Sequence, residues 1–156
     1  MSEPRGGCSA TFAARWRSDR STSTAPETGC ANCHRIKEQG IDFGPNLTEI
    51  GSKLGKDALY QAILEPSAGI SFGFEAWQVQ LKSGDEAYGL IVSETAEELA
   101  VKAVGGLVTR YKKDEISGRE QMKLSIMPAG LQQAMSTQDL VDLVEYLFSL
   151  KKIPQP

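Results

Sequence analysis

The chain has 156 residues, 40% hydrophobic and 24% charged, with a net charge of −3, a balance that fits one domain or one small domain carrying an insertion. The acidic surplus leaves no basic footprint for nucleic acid, and no apolar run approaches the roughly 18–20 residues a spanning helix needs. Three cysteines, an odd number, do not make a disulfide framework.

Residues 1–27 read as a leader, poorly ordered or with a short helix over SATFAARW (9–16). The first 28 residues contain no apolar h-region, so no secretory signal peptide is expected in this chain. Cys8, within them, is left as a free thiol or an intermolecular pairing site. Thr28 is placed to cap a helix that opens at CANCH (30–34), runs to about Lys37 and closes at Gly40. IDFGPNL follows as irregular chain, because Gly44-Pro45 cannot continue a helix. A second helix fits SKLGKDALYQAILEP (52–66), where Leu54, Ala58, Leu59, Ala62 and Ile63 recur at helical spacing and Pro66 stops the run.

From about Ser71 the period falls from 3.6 to 2. Trp77, Val79 and Leu81 alternate with polar residues, Ser83-Gly84 turns the chain, and Tyr88, Leu90 and Val92 repeat the alternation. Leu99, Val101 and Ala103 follow, then Gly105-Gly106, then LVTRYKK and a short segment around Ile116. The helical period returns in STQDLVDLVEYLFSLKK, with Ser136 and Asp139 as a capping box and Leu140, Leu143, Val144 and Leu147 as one stripe. Helices, then strands, then a helix predict an α+β fold. A small helical domain (28–69 and 122–153) is split by an inserted antiparallel β-barrel or sandwich (70–121).

CANCH carries the chemistry. Two cysteines separated by two residues can each add to a vinyl group of one haem, and the adjacent histidine then addresses the iron from the same turn. A thioredoxin-like redox pair would need a βαβ context, and a zinc site would need further ligands, of which only Cys8 remains. Pro45, in GPNL, is placed to supply the carbonyl that fixes the imidazole. His34 is the sole histidine, so a second axial ligand within the chain falls to a methionine sulfur: Met122, Met127 or Met135. Met127 stands in LSIMPAGL, where Pro128 stiffens an apolar loop.

CANCH, then GPNLTEIG and a C-terminal amphipathic helix, resemble class I cytochrome c. The longer series FGPNLTEIGSKL, ILEPSAGISFGFEAWQVQLKSGD, SIMPAGL and DLVDLVEYLFSL resembles the haem-binding domain common in Planctomycetes and Verrucomicrobia, over about residues 28–150. The resemblance implies one covalent haem c bound through Cys30, Cys33, His34, Pro45 and Met127, with His34 and Met127 as metal ligands. It also implies a periplasmic location and redox partner proteins, a dehydrogenase among them as electron donor. It departs in one place: the nearest candidate for an N-terminal helix, with Phe12 and Trp16, lies well upstream of the haem motif, behind a polar loop.

Two-sided ligation favours an electron carrier, not an enzyme, since it leaves no site for substrate. The alternative is a haem enzyme or gas sensor with a labile sixth position, peroxidase-like, against which the lack of a distal histidine counts. A separate binding role for the β module, through Trp77, Tyr88 and Tyr111, is a third reading, and the alternation places those rings in a core instead.

Overall fold

The computed structural model describes residues 29–152; the leader, its candidate helix over 9–16, Cys8 and Pro154 lie outside the described residues. CANCH does not open a long helix. Cys30–Asn32 form a single 3-10 turn, and the chain then reverses through a short hairpin, β1 (Arg35–Ile36) antiparallel to β2 (Gln39–Gly40). The expected run to Lys37 is lost for a local reason. Lys37 adopts φ 53°, a left-handed conformation that an α-helix cannot contain, and Arg35 braces the turn by donating to the Lys37 carbonyl and the Glu38 carboxylate, each at 2.8 Å.

The helix expected over 52–66 is two helices. Leu54 is extended (ψ 139°), as is Gly55 (ψ 169°), and together they separate α1 (Ile50–Lys53) from α2 (Lys56–Leu64). The last helix, α3 (Thr137–Ser149), starts as its sequence predicts: Ser136 Oγ accepts the Asp139 amide at 3.1 Å, and the Asp139 carboxylate accepts the Ser136 amide at 3.1 Å. Leu143, Val144, Tyr146 and Leu147 of α3 close a core with Ile36, Ile50, Leu59 and Ile63. α1 meets α3 backbone to backbone, the Gly51 amide donating to the Leu150 carbonyl at 2.8 Å.

Five strands follow: β3 (Ala76–Leu81), β4 (Glu86–Glu94), β5 (Glu98–Lys102), β6 (Val108–Lys112) and β7 (Ile116–Gln121). They form one antiparallel sheet in the order β6-β5-β4-β3-β7. The barrel or sandwich expected over 70–121 is thus an open sheet, with no ladder between β6 and β7. The 3-10 turn Lys113–Glu115 that joins them redirects the chain, where a hairpin turn would have started a ladder. The sheet is nevertheless not flat. Its outer strands are linked through that turn alone, a reach of at most roughly 15 Å from Lys112 to Ile116, whereas a flat five-stranded sheet would hold them roughly 19 Å apart. At one end of the sheet, Glu94 binds Arg119 at 2.9 Å and also Lys113, and these two cations hold its carboxyl below the usual carboxylate range.

The inner face carries a second core of Val79, Ala87, Leu99 and Val101, flanked by Leu81, Ile91, Tyr111 and Ile116. Here the alternation in β4 runs in the opposite phase to the one expected. Ala87 and Ile91 face this core, while Tyr88 and Val92 are each 45% exposed on the other side. Leu90 shares their face yet is only 3% exposed, and its partners across the ladder, Ala76 and Lys102, lie on that face too. The reason lies in the helical part of the chain, which covers that end of the sheet. The sheet also begins and ends at one place, since the Met122 amide donates to the Ala76 carbonyl at 2.8 Å and Gln121 pairs with Trp77.

Candidate functional site

The 3-10 turn brings both thiols and the imidazole to one point. The His34 amide donates to the Cys30 carbonyl at 2.7 Å and the Cys33 amide to the same carbonyl at 3.1 Å, closing the turn on itself. The loop after β2 wraps against it: the Ile41 amide binds the Ala31 carbonyl at 2.9 Å, and the amides of Phe43 and Gly44 both bind the Cys33 carbonyl. Gly40 (φ 90°) has to be glycine, because a methyl there would overlap the His34 carbonyl. Gly44 has to be small for another reason. A Cβ at that position would lie 2.8 Å from His34 Cε1 and 3.0 Å from Nδ1.

His34 Nδ1–H donates to the Pro45 carbonyl at 2.7 Å. That bond fixes the tautomer, so the lone pair sits on Nε2. Burial pushes the His34 pKa below its ordinary value and outweighs the opposing pull of the Pro45 carbonyl, which keeps the ring neutral at pH 7, as a metal ligand requires. Burial, and then the neighbouring Cys30, push the Cys33 thiol up. Among the described residues no group of three or more His, Cys, Asp or Glu side chains is placed to hold a metal ion, so a zinc reading of CANCH finds no further ligands there.

Cys30, Cys33, His34 and Pro45 border a largely apolar cavity. Its walls come from the helical core (Ile50, Leu59, Ile63, Leu143, Leu147) and from the segment between α2 and β3 (Ile70, Phe74). Met127 lies on the same cavity, half-buried, its amide bound to Ser125 Oγ at 3.1 Å, while the Ser125 amide binds Ser67 Oγ at 3.0 Å. These bonds tie the Met127 loop to the end of α2. Met122 does not border the cavity; it is held at the end of β7. Met135 does border it, at the end of the 3-10 turn Leu131–Ala134. So all five site residues singled out in the sequence meet at one cavity, together with a second thioether. The sequence had no signal for Leu90, which reaches the cavity from β4, because strand alternation assigns it to the sheet's own core.

The donor set suits a haem: two thiols at attachment spacing, a neutral imidazole oriented by a carbonyl, thioethers opposite in chemistry to hard oxygen ligands, and apolar walls that exclude water. No helix among the described residues is long and apolar enough to cross a membrane. No curated protein matches the chain. Residues 22–89 do match the family model for cytochrome c, a span that takes in the attachment motif, GPNL, α1 and α2 and stops within β4. Over that span, less than half of the chain, the protein is similar to cytochrome c, a family whose domains carry covalently attached haem c.

Proposed function

We propose that the protein is a mono-haem c-type cytochrome that carries electrons, with Cys30 and Cys33 as the attachment residues and His34 and Met127 as axial ligands. The haem supplies a one-electron couple at iron; the chain supplies ligands, orientation and a dry surround. His34 is held by Pro45 in the tautomer that presents Nε2. Met127 borders the same cavity as His34, on a loop whose amide is held by Ser125 Oγ. The helical segments 28–69 and 122–153 act as one haem domain and residues 70–121 as an insertion. Support for that division comes from the Met122–Ala76 bond and from the two separate cores. The resemblance to the Planctomycetes and Verrucomicrobia domain extends the reading to a periplasmic setting and a dehydrogenase donor.

One observation carries the reading: His34, fixed by the Pro45 carbonyl, shares an apolar cavity with both motif cysteines and Met127. Carbon monoxide binding tests it. An iron ligated on both sides predicts that the reduced protein takes up carbon monoxide only as fast as the sulfur dissociates, with a rate that saturates as the gas concentration rises. A fast rate, linear in gas concentration, would mean an open position and would move the enzyme or sensor reading to the front.

A further inference from the structure

One polar side chain of the sheet, Lys102, reaches the loop that orients His34. Lys102, the last residue of β5, donates from Nζ to the Asp42 carbonyl at 2.7 Å and lies 3.3 Å from the Asp42 carboxylate. Its side chain is only 18% exposed, and it shares a face with Leu90, which borders the haem cavity. A lysine so covered, spending a hydrogen bond on a main-chain carbonyl, is an unusual surface ion pair. Charge-assisted bonds of this kind are shorter and stronger than neutral ones.

The Asp42 carbonyl and the Phe43 amide belong to one peptide plane. Lys102 holds the carbonyl side, and the Phe43 amide donates to the Cys33 carbonyl at 3.1 Å. The Cys33 carbonyl and the His34 amide form the next plane, whose amide donates to the Cys30 carbonyl at 2.7 Å. Two peptide groups therefore connect the sheet to the attachment turn, each gripped on both sides, and such chains polarise one another in the same direction. The loop continues directly to Gly44, packed under the imidazole, and Pro45, which accepts its Nδ1–H. Beside Lys102, the β5–β6 turn also rests on this loop, leaving no room beyond contact between Gly106 and Ile41.

We infer that Lys102 is a positioning residue for His34: through the Asp42–Phe43 and Cys33–His34 peptide planes it clamps the loop that sets the imidazole, which gives the β module a role on the histidine side of the haem. The inference rests on the haem reading above. It makes no contact with iron and involves no change in charge state.

The test uses the reduced holoprotein and follows three solvent exchange rates by proton NMR, those of the His34 Nδ1–H and of the Phe43 and Gly44 amides. Lys102→Met removes the donor. Loss of a charge-assisted bond, about 1.4 kcal/mol or more, corresponds to about tenfold faster opening of the loop, so all three protons should exchange about tenfold faster. Lys102→Arg should restore the wild-type rates. Arg119→Gln, whose partners Glu94 and Trp77 both lie in the sheet, should leave them unchanged. Equal rates in Lys102→Met and wild type would overturn the inference, as would a matching rise in Arg119→Gln. A wild type that holds no His34-ligated haem would overturn the haem reading. In that case unchanged amide rates in Lys102→Met would overturn the clamp as well.

Discussion

Gly51→Ala should destabilise the protein by about 3 kcal/mol, at the upper end of what overpacking costs. Helix propensity argues the other way, since alanine gains about 1 kcal/mol over glycine inside a helix. Close approach decides the sign. Gly51 is buried where α1 crosses the end of α3, and a methyl there would overlap the carbonyl of Phe148 and lie 3.0 Å from that of Leu147. Those are backbone atoms, locked in the last turn of a helix, and they cannot swing aside as a side chain would. Moving α1 away would also stretch the bond from the Gly51 amide to the Leu150 carbonyl and the neighbouring one from the Lys152 amide to Ser52 Oγ, 2.7 Å. Thermal unfolding should show a Tm lower by roughly 6–12 °C for a chain of this size. A Tm equal to or above that of the wild type would mean that α1 and α3 are not packed so closely.

Leu99→Ala should cost about 3 kcal/mol, within the range of roughly 2–5 for a buried leucine cut back to alanine. Leu99 is 0% exposed at the centre of the sheet core, and that core is small, so its neighbours have little freedom to collapse into the space. The location of the damage is more informative than its size. The buried residues of the helical core form a separate cluster, so amide exchange should quicken by roughly 150-fold on β3–β6 while α3 changes much less. Uniform acceleration across both regions would show that sheet and helices open as one unit, against the two-part architecture.

The parts of the fold that the sequence made legible are those where local and tertiary forces agree. In α3 the capping box and the apolar stripe both point to the same start and the same buried face, and the structure has both. CANCH and GPNL were legible because a fixed spacing meets a fixed chemical need, and the His34–Pro45 bond is the geometry that need implies. Where packing overrides local preference, the sequence misleads. Arg35 to Lys37 follows a helix-like opening, yet the chain must turn back at Lys37 to bring the Gly44-Pro45 loop under His34. Leu54 and Gly55 sit in an unbroken helical period, and only the direction of α2 across α3 requires the corner there.

In the strand region the strands themselves were legible, and what misled was the phase of β4 and the expected closure. Period 2 identifies strands but not which face is inward when both faces are partly covered. In β4 glycine and alanine occupy inward positions, Gly89 because a Cβ would overlap the Lys102 carbonyl, so the larger Tyr88, Leu90 and Val92 carried a stronger but misleading pattern. For the same reason Leu90 could not be assigned to the cavity from its sequence neighbours. Met127 was preferred for its Pro128-stiffened loop, but that Met135 borders the same cavity could not be read, because only the folded chain brings the 3-10 turn before α3 to the cavity wall.

Two thioethers on one cavity make the choice between them the most direct test of the account. The measurement is the visible spectrum of the oxidised holoprotein beside Met127→Ala and Met135→Ala. Ligation by His34 and Met127 predicts a low-spin wild type with a sulfur-to-iron charge-transfer band, a Met135→Ala variant that keeps the band, and a Met127→Ala variant that loses it. A band that survives in Met127→Ala and disappears in Met135→Ala would contradict the assignment, and a wild type that is already high-spin would contradict two-sided ligation altogether.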